Sequence, residues 1–236
     1  MKPFSIAPSI ILSVMLFSME GVFCSAQEQI HLRFQPTYRG EPVYFDTTAY
    51  HTATGSRITV SMLKFYLSNV ATTMSNGSSP SMSESVLLDL LEPEELLVPV
   101  EPNSKVTSVS FTIGVDSLSN ESGPREGDLD PRNGMYWTWA TGYIFLKLEG
   151  TLEAQGRARR VYEIHVGGYK APYRNMIDVH LPVTLRTADS ILTVDVAIDQ
   201  FFDAAPAFDI ATRPSITDAR QASDVIDRLR GMFRVR

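Results

Sequence analysis

Apolar and polar positions alternate in six separate stretches of the chain. Ile30, Leu32 and Phe34 alternate with His31 and Arg33, and Ile58, Val60 and Met62 with Arg57, Thr59 and Ser61. Val109, Phe111 and Ile113 alternate with Ser108, Ser110 and Thr112, and Ile144, Leu146 and Leu148 with Phe145, Lys147 and Glu149. Tyr162, Ile164 and Val166 alternate with Val161, Glu163 and His165, and Leu192, Val194, Val196 and Ile198 with Thr193, Asp195 and Ala197. A period of two over five to seven residues marks a strand with one face in a core. Six such runs, separated by Gly, Pro and Asn clusters, predict an all-β fold, an antiparallel β-sandwich or barrel. One stretch has helical period instead. Ala222, Val225, Ile226, Leu229 and Phe233 predict a single C-terminal helix laid by one stripe on the sheet, capped by Thr217 or Asp218.

The connections carry information as well. Residues 72–85 are rich in Ser, Thr, Gly and Pro and read as an exposed loop. Residues 114–134 carry acids among Gly, Ser, Asn and Pro, a length that in a compact domain implies a functional or mobile loop. No composition break divides the chain after its first segment, so residues 27–236 read as one domain.

The first 26 residues read as an address. Lys2 precedes the apolar run Ile10–Phe17, and Cys24-Ser25-Ala26 places small residues at −3 and −1 of a cleavage after Ala26. This is the pattern of a secretory signal peptide, with export to the periplasm or secretion as its consequence. The run is shorter than the roughly 20 residues that span a bilayer, so a membrane anchor is the weaker reading. Lipidation at Cys24 is a further alternative, with Phe23 where such signals prefer a small residue. No later stretch is long and apolar enough to span a membrane.

Composition then removes several classes of function. The formal charge of −6 argues against a nucleic-acid binder that works through a basic face. Cys24 is the one cysteine, so there is no disulfide framework and no thiolate ligand in the mature chain. Gly-x-Ser-x-Gly, His-Glu-x-x-His, Walker, Gly-x-Gly-x-x-Gly and Cys-x-x-Cys-His motifs are all missing from the sequence. No enzyme activity is expected.

The remaining chemistry centres on residues 127–143. Both tryptophans, Trp137 and Trp139, lie here two apart. On a strand they share a face with Thr141, either as packing anchors or as indoles close to a metal or chemically modified. Asp128, Asp130 and Asn133 offer hard oxygens on a turn. Their spacing is off by one from a calcium loop, and Asp130-Pro131 with Asn133-Gly134 also forms a turn without an ion. His165, before Gly167-Gly168, is either a copper or zinc ligand or a hydrogen-bonded strand-end histidine. His51 is a second metal candidate, whereas His31 and His180 read as exposed strand residues.

Several separated motifs, in order, resemble the MbnP-like copper-binding domain family of exported bacterial proteins. They are Lys64-Phe-Tyr-Leu-Ser-Asn-Val70, Leu87-Leu88-Asp89, Phe111-Thr-Ile-Gly-Val-Asp116, Gly134-Met-Tyr-Trp-Thr-Trp139, Gly142-Tyr143 and Ile164-His-Val-Gly167. The resemblance runs from about Ile30 to Phe233. It implies copper binding or handling, with His165 as a ligand and Trp137 or Trp139 oxidised to kynurenine by a dihaem peroxidase-type partner. Copper-associated members carry a histidine after an Asn in the loop following the Gly-Val motif. Here that place reads Asn120-Glu121, which removes an imidazole and supplies a harder oxygen donor. This departure and Leu129-Asp130-Pro131 mark a separate branch of the family. The rival reading is a metal-free envelope binding module with a structural Trp-x-Trp.

Overall fold

The first alternating run becomes β1 (Gln29–Tyr38), which turns through Arg39-Gly40 into β2 (Glu41–Pro42). After β3 (Tyr50–His51) come the 18-residue β4 (Arg57–Met74), then β5 (Ser81–Met82), β6 (Val86–Asp89), β7 (Glu94–Pro99) and β8 (Lys105–Ile113). The next segment holds α1 (Ser117–Glu121) and two 3-10 turns, Gly127–Leu129 and Pro131–Asn133. β9 (Tyr136–Trp137) precedes β10 (Gly142–Glu153), β11 (Arg160–Gly167), β12 (Ile177–Arg186) and β13 (Ile191–Ala197). The chain closes with α2 (Ile198–Asp203), β14 (Ser215–Ile216), α3 (Ala219–Ser223), α4 (Ile226–Arg230) and β15 (Phe233–Val235). The computed structural model describes residues 28–92, 94–138, 142–186 and 190–236. The segment read as a signal peptide, with Cys24, and Trp139 therefore lie outside the described residues.

Two sheets form a sandwich, as the alternation predicts. The smaller runs β15-β13-β1-β2, with β7 also on β1, and the larger runs β12-β8-β4-β10-β11-β14, with β3, β5 and β6 on β4 and β9 on β10. Most pairs are antiparallel. β1 and β13 are parallel, and so are β11 and β14. β13 reaches β1 only after the chain has built most of the other sheet, so no tight hairpin dictates its direction. Between the sheets, Phe34 and Phe233 from the smaller meet Phe65 and Phe111 from the larger. Four edge-to-face contacts with ring centroids 5.5–5.7 Å apart close them into a cycle, a favoured aromatic geometry.

Three sequence expectations change in detail. The helical stripe is real, because Ala222, Val225, Leu229 and Phe233 are all buried, but it is not one helix. Val225, at φ −117° and ψ 2°, separates α3 from α4, and Phe233 belongs to β15, where its ring completes the aromatic cycle. Asp218 caps α3 by accepting from the Gln221 N–H at 2.8 Å. Met62 does not face the core. A register shift opposite Glu149/Gly150 reverses the phase, so that Leu63, Phe65 and Leu67 point inward. The exposed loop expected over 72–85 is shorter, since β4 continues to Met74 and Thr72 is buried.

Gly150 sits at the same irregularity. A Cβ there would fall 1.9 Å from the Thr59 carbonyl oxygen and 2.8 Å from the Tyr162 ring. Gly150→Ala should destabilise the protein by about 3 kcal/mol or more, read as a lower denaturation midpoint, because backbone rather than a flexible side chain must yield.

Candidate functional site

The larger sheet buries apolar residues on its outer face as well. Tyr66, Val115, Leu129, Met135, Trp137, Tyr143, Ile144 and Phe145 form a second core there, roofed by residues 114–135. The long loop is thus packed structure. Burial raises the hydroxyl pKa of both Tyr66 and Tyr143, and each hydroxyl donates to a loop carbonyl at 2.8 Å, Tyr66 to Asp128 and Tyr143 to Leu129. The buried Asn120 accepts from the Tyr143 N–H at 3.0 Å and donates to the Val115 carbonyl at 2.8 Å. These bonds satisfy groups that would otherwise be buried without partners.

The loop delivers Trp137 to β11. Gly134, in a left-handed conformation, ends the second 3-10 turn, and β9 pairs Trp137 with Gly142. The indole is 2% exposed and lies on Gly167, where a Cβ would be 2.6 Å from Cζ3 and 2.7 Å from the Tyr143 carbonyl oxygen. Asn175 fixes this seat from behind. Its buried amide donates to the carbonyls of Gly167 (2.7 Å) and Ala219 (2.6 Å).

His165 precedes Gly167 by two residues, while Ile164 and Val166 point into the main core. It therefore shares the outer face with the indole seat, one side-chain repeat of roughly 7 Å along the strand. Its Nε2 is 2.7 Å from Glu149 Oε1. Lys147 lies 3.6 Å from that oxygen and donates to the Gly134 carbonyl at 2.8 Å, tying the pair to the Trp137 segment. The bond from His165 holds the Glu149 carboxyl below the usual range, against partial burial and with help from Lys147. An ionised carboxylate only accepts, so Nε2 carries the hydrogen. In the neutral ring Nδ1 then keeps its lone pair. Histidines that ligate metals commonly use one nitrogen this way while a carboxylate holds the other.

The other candidates lie elsewhere. His51 pairs with Arg57, which pairs with Glu153, roughly 20 Å along β10 from Lys147, the partner of His165. Asp128 accepts from the Leu87 N–H at 2.9 Å, Asp130 caps and pairs with Arg132, and the Asn133 amide donates to the Gly127 and Asp128 carbonyls. All three act as turn formers. Glu121 borders a pocket of about 480 Å³ with Tyr136, Tyr169 and Lys170. Among the described residues, no group of three or more His, Cys, Asp or Glu is placed to hold a metal ion. The His165 imidazole suits copper in kind, but one imidazole does not make a closed copper site.

A family model described as MbnP matches residues 27–218. The chain belongs to the MbnP family. No curated protein matches the sequence. Among solved structures, MbnP from Methylosinus trichosporium has a similar fold, with a TM-score of 0.52 and 13% identity over 75% of this chain and 78% of that one. No helix among the described residues of this MbnP-family chain is long and apolar enough to cross a membrane. Sequence reasoning missed Glu149, Lys147, Asn120 and Asn175 as parts of the site. Glu149 and Lys147 stood in an outward-facing alternation, but the register that brings them to His165 has no local signal.

Two measurements follow. Gly167→Ala should unseat the indole, destabilise by about 2–3 kcal/mol and shift tryptophan emission. Glu149 has a lowered folded pKa, so its contribution is complete above the ordinary glutamate value of about 4.3 and disappears as pH falls through the lower folded value. Wild type should exceed Glu149→Gln in Tm at pH 7, and in calorimetry the gap should narrow as the pH falls below the ordinary glutamate range.

Proposed function

We propose that this MbnP-family chain is an exported copper-handling protein without catalysis of its own, and that the His165 face is where copper meets it. The carrying observation is that His165 and the Trp137 seat share one outer face of β11, with Glu149 orienting the imidazole through Nε2. His165 would hold the ion through Nδ1, while Lys147 and Glu149 fix the ring. Copper bound there would bring its redox chemistry beside an indole. The single imidazole supports an open site that needs further donors, such as an oxidised tryptophan or the partner that delivers the metal. A dihaem peroxidase-type protein is the partner this reading expects. Export follows from the Lys2, Ile10–Phe17 and Ser25-Ala26 pattern of the leader.

The burial of Trp137 favours a second reading, a metal-free envelope module. The indole completes the second core, a sufficient structural reason for its presence.

The experiment is copper titration of exported protein, followed by intact-mass analysis. The copper reading expects stoichiometric uptake that His165→Ala lowers at least about tenfold while the protein stays folded. Uptake at background level, together with two unmodified tryptophans, would leave the metal-free reading. Calcium remains a lesser proposal for the Asp128–Asn133 turn.

A further inference from the structure

A second polar site lies on the same outer face, at the β12 edge of the sheet. Ser68, Thr112 and Asp178 are direct neighbours across β4, β8 and β12. The ladder between β4 and β8 breaks between Ser68 and Ala71, and Asn69 stands there in the left-handed region at φ 51°. The irregularity turns the Asn69 amide toward the row, where Nδ2 donates to Thr112 Oγ1 at 3.4 Å. Thr112 Oγ1 in turn donates to Asp178 Oδ1 at 2.8 Å, which orients the carboxylate and, among the described residues, leaves Oδ2 without a donor. Asn69, Thr112 and Asp178, with Arg174 and Met176, line a pocket of about 380 Å³.

Arg174 and Asp178 are both exposed at this pocket, and Ser68 lies beside it without lining it. Among the described residues Arg174 makes no hydrogen bond or ion pair, although it borders the same pocket as Asp178. Beside the Thr112 row, the Ser68 hydroxyl is buried with no partner. A guanidinium and a carboxylate facing one small cavity without closing on each other present two opposite charges to whatever enters. A simple anion would meet Asp178, and a simple cation would meet Arg174. A ligand carrying both charges a few ångströms apart satisfies both. Arg174 offers the planar fork that matches a carboxylate, and the free oxygen of Asp178 offers an acceptor for an ammonium. Met176 supplies the one apolar wall, and its other side packs on the second core.

We propose that this pocket binds a small zwitterion of the α-amino acid class, its carboxylate on Arg174 and its ammonium on Asp178. The site shares no residue with the His165 face and does not depend on copper binding.

The test is titration of the exported protein with glycine and L-alanine, followed by calorimetry and amide chemical shifts, with acetate and methylammonium as single-charge arms. The expected result is saturable binding of both amino acids, with shifts centred on Asn69, Thr112 and Asp178. Acetate and methylammonium should bind at least about tenfold more weakly, since each loses one charge-assisted bond. Arg174→Met and Asp178→Asn should each weaken amino acid binding by a similar factor. Their melting curves will show that both variants fold, as expected for exposed positions. Absence of saturable binding to wild type would overturn the proposal. So would binding indifferent to Arg174→Met, or acetate binding equal to that of glycine.

Discussion

The site rests on one constraint, the burial of both faces of the larger sheet. An antiparallel sheet in a sandwich usually leaves its outer face to water. Here Tyr66 and Phe145 point outward, and a loop with little regular structure must cover them. That loop brings backbone carbonyls into an apolar layer, where an unmatched carbonyl is unfavourable. The tyrosines solve both problems at once, because their rings fill the layer and their hydroxyls donate to Asp128 and Leu129. Asn120 does the same for the strand, taking up the Tyr143 N–H at the edge where β10 begins. Pinned in this way, the loop has one place to deliver Trp137, and Gly167 leaves room there for the indole.

Irregularities in the ladders allow a single sheet to serve two cores. Between Ile144 and Leu146 the pairing of β10 with β11 shifts, and Tyr143, Ile144 and Phe145 all join the second core. Further along, Leu146 and Leu148 return to the main core, leaving Lys147 and Glu149 outward. The shift near Ser61 and Met62 performs the matching correction on β4. Bulges reverse the facing of every later residue in a strand, so these strands carry their polar side chains to the outer face only where the loop does not cover it.

This explains what the amino-acid order discloses and what it hides. Regular alternation in β1 and β13 is visible because they pair with each other without interruption, and in β8 and β11 because, across the residues concerned, the extra residue at each break sits in the partner strand, β4 or β10. Met62 misleads because a bulge is one extra residue, and its effect on phase depends on the partner strand. The C-terminal stripe has helical period, yet Phe233 lies in β15, where its ring meets Phe65 and Phe111, both far away in sequence. Family motifs locate Trp137 and His165. They do not locate Glu149, whose role comes from a diagonal contact between neighbouring strands. The loop reads as polar and long, and its order depends on two tyrosines whose hydroxyl partners no local pattern names.

The polar row on the outer face adds little to the fold. Asp89, Lys64, Lys147 and His165 follow one another across β6, β4, β10 and β11, with Glu149 beside them. Partly exposed ion pairs of this kind contribute about 1 kcal/mol or less each. One buried phenylalanine of the aromatic cycle contributes several times more. Apolar residues at these positions would have joined the second core at greater gain, as Tyr66 and Phe145 do on the same strands. Where the loop does not cover it, the outward-facing surface is charged as a sheet face left to water ordinarily is. Its strongest asymmetry is the imidazole that a carboxylate orients next to a buried indole, a contact made across two strands rather than within one.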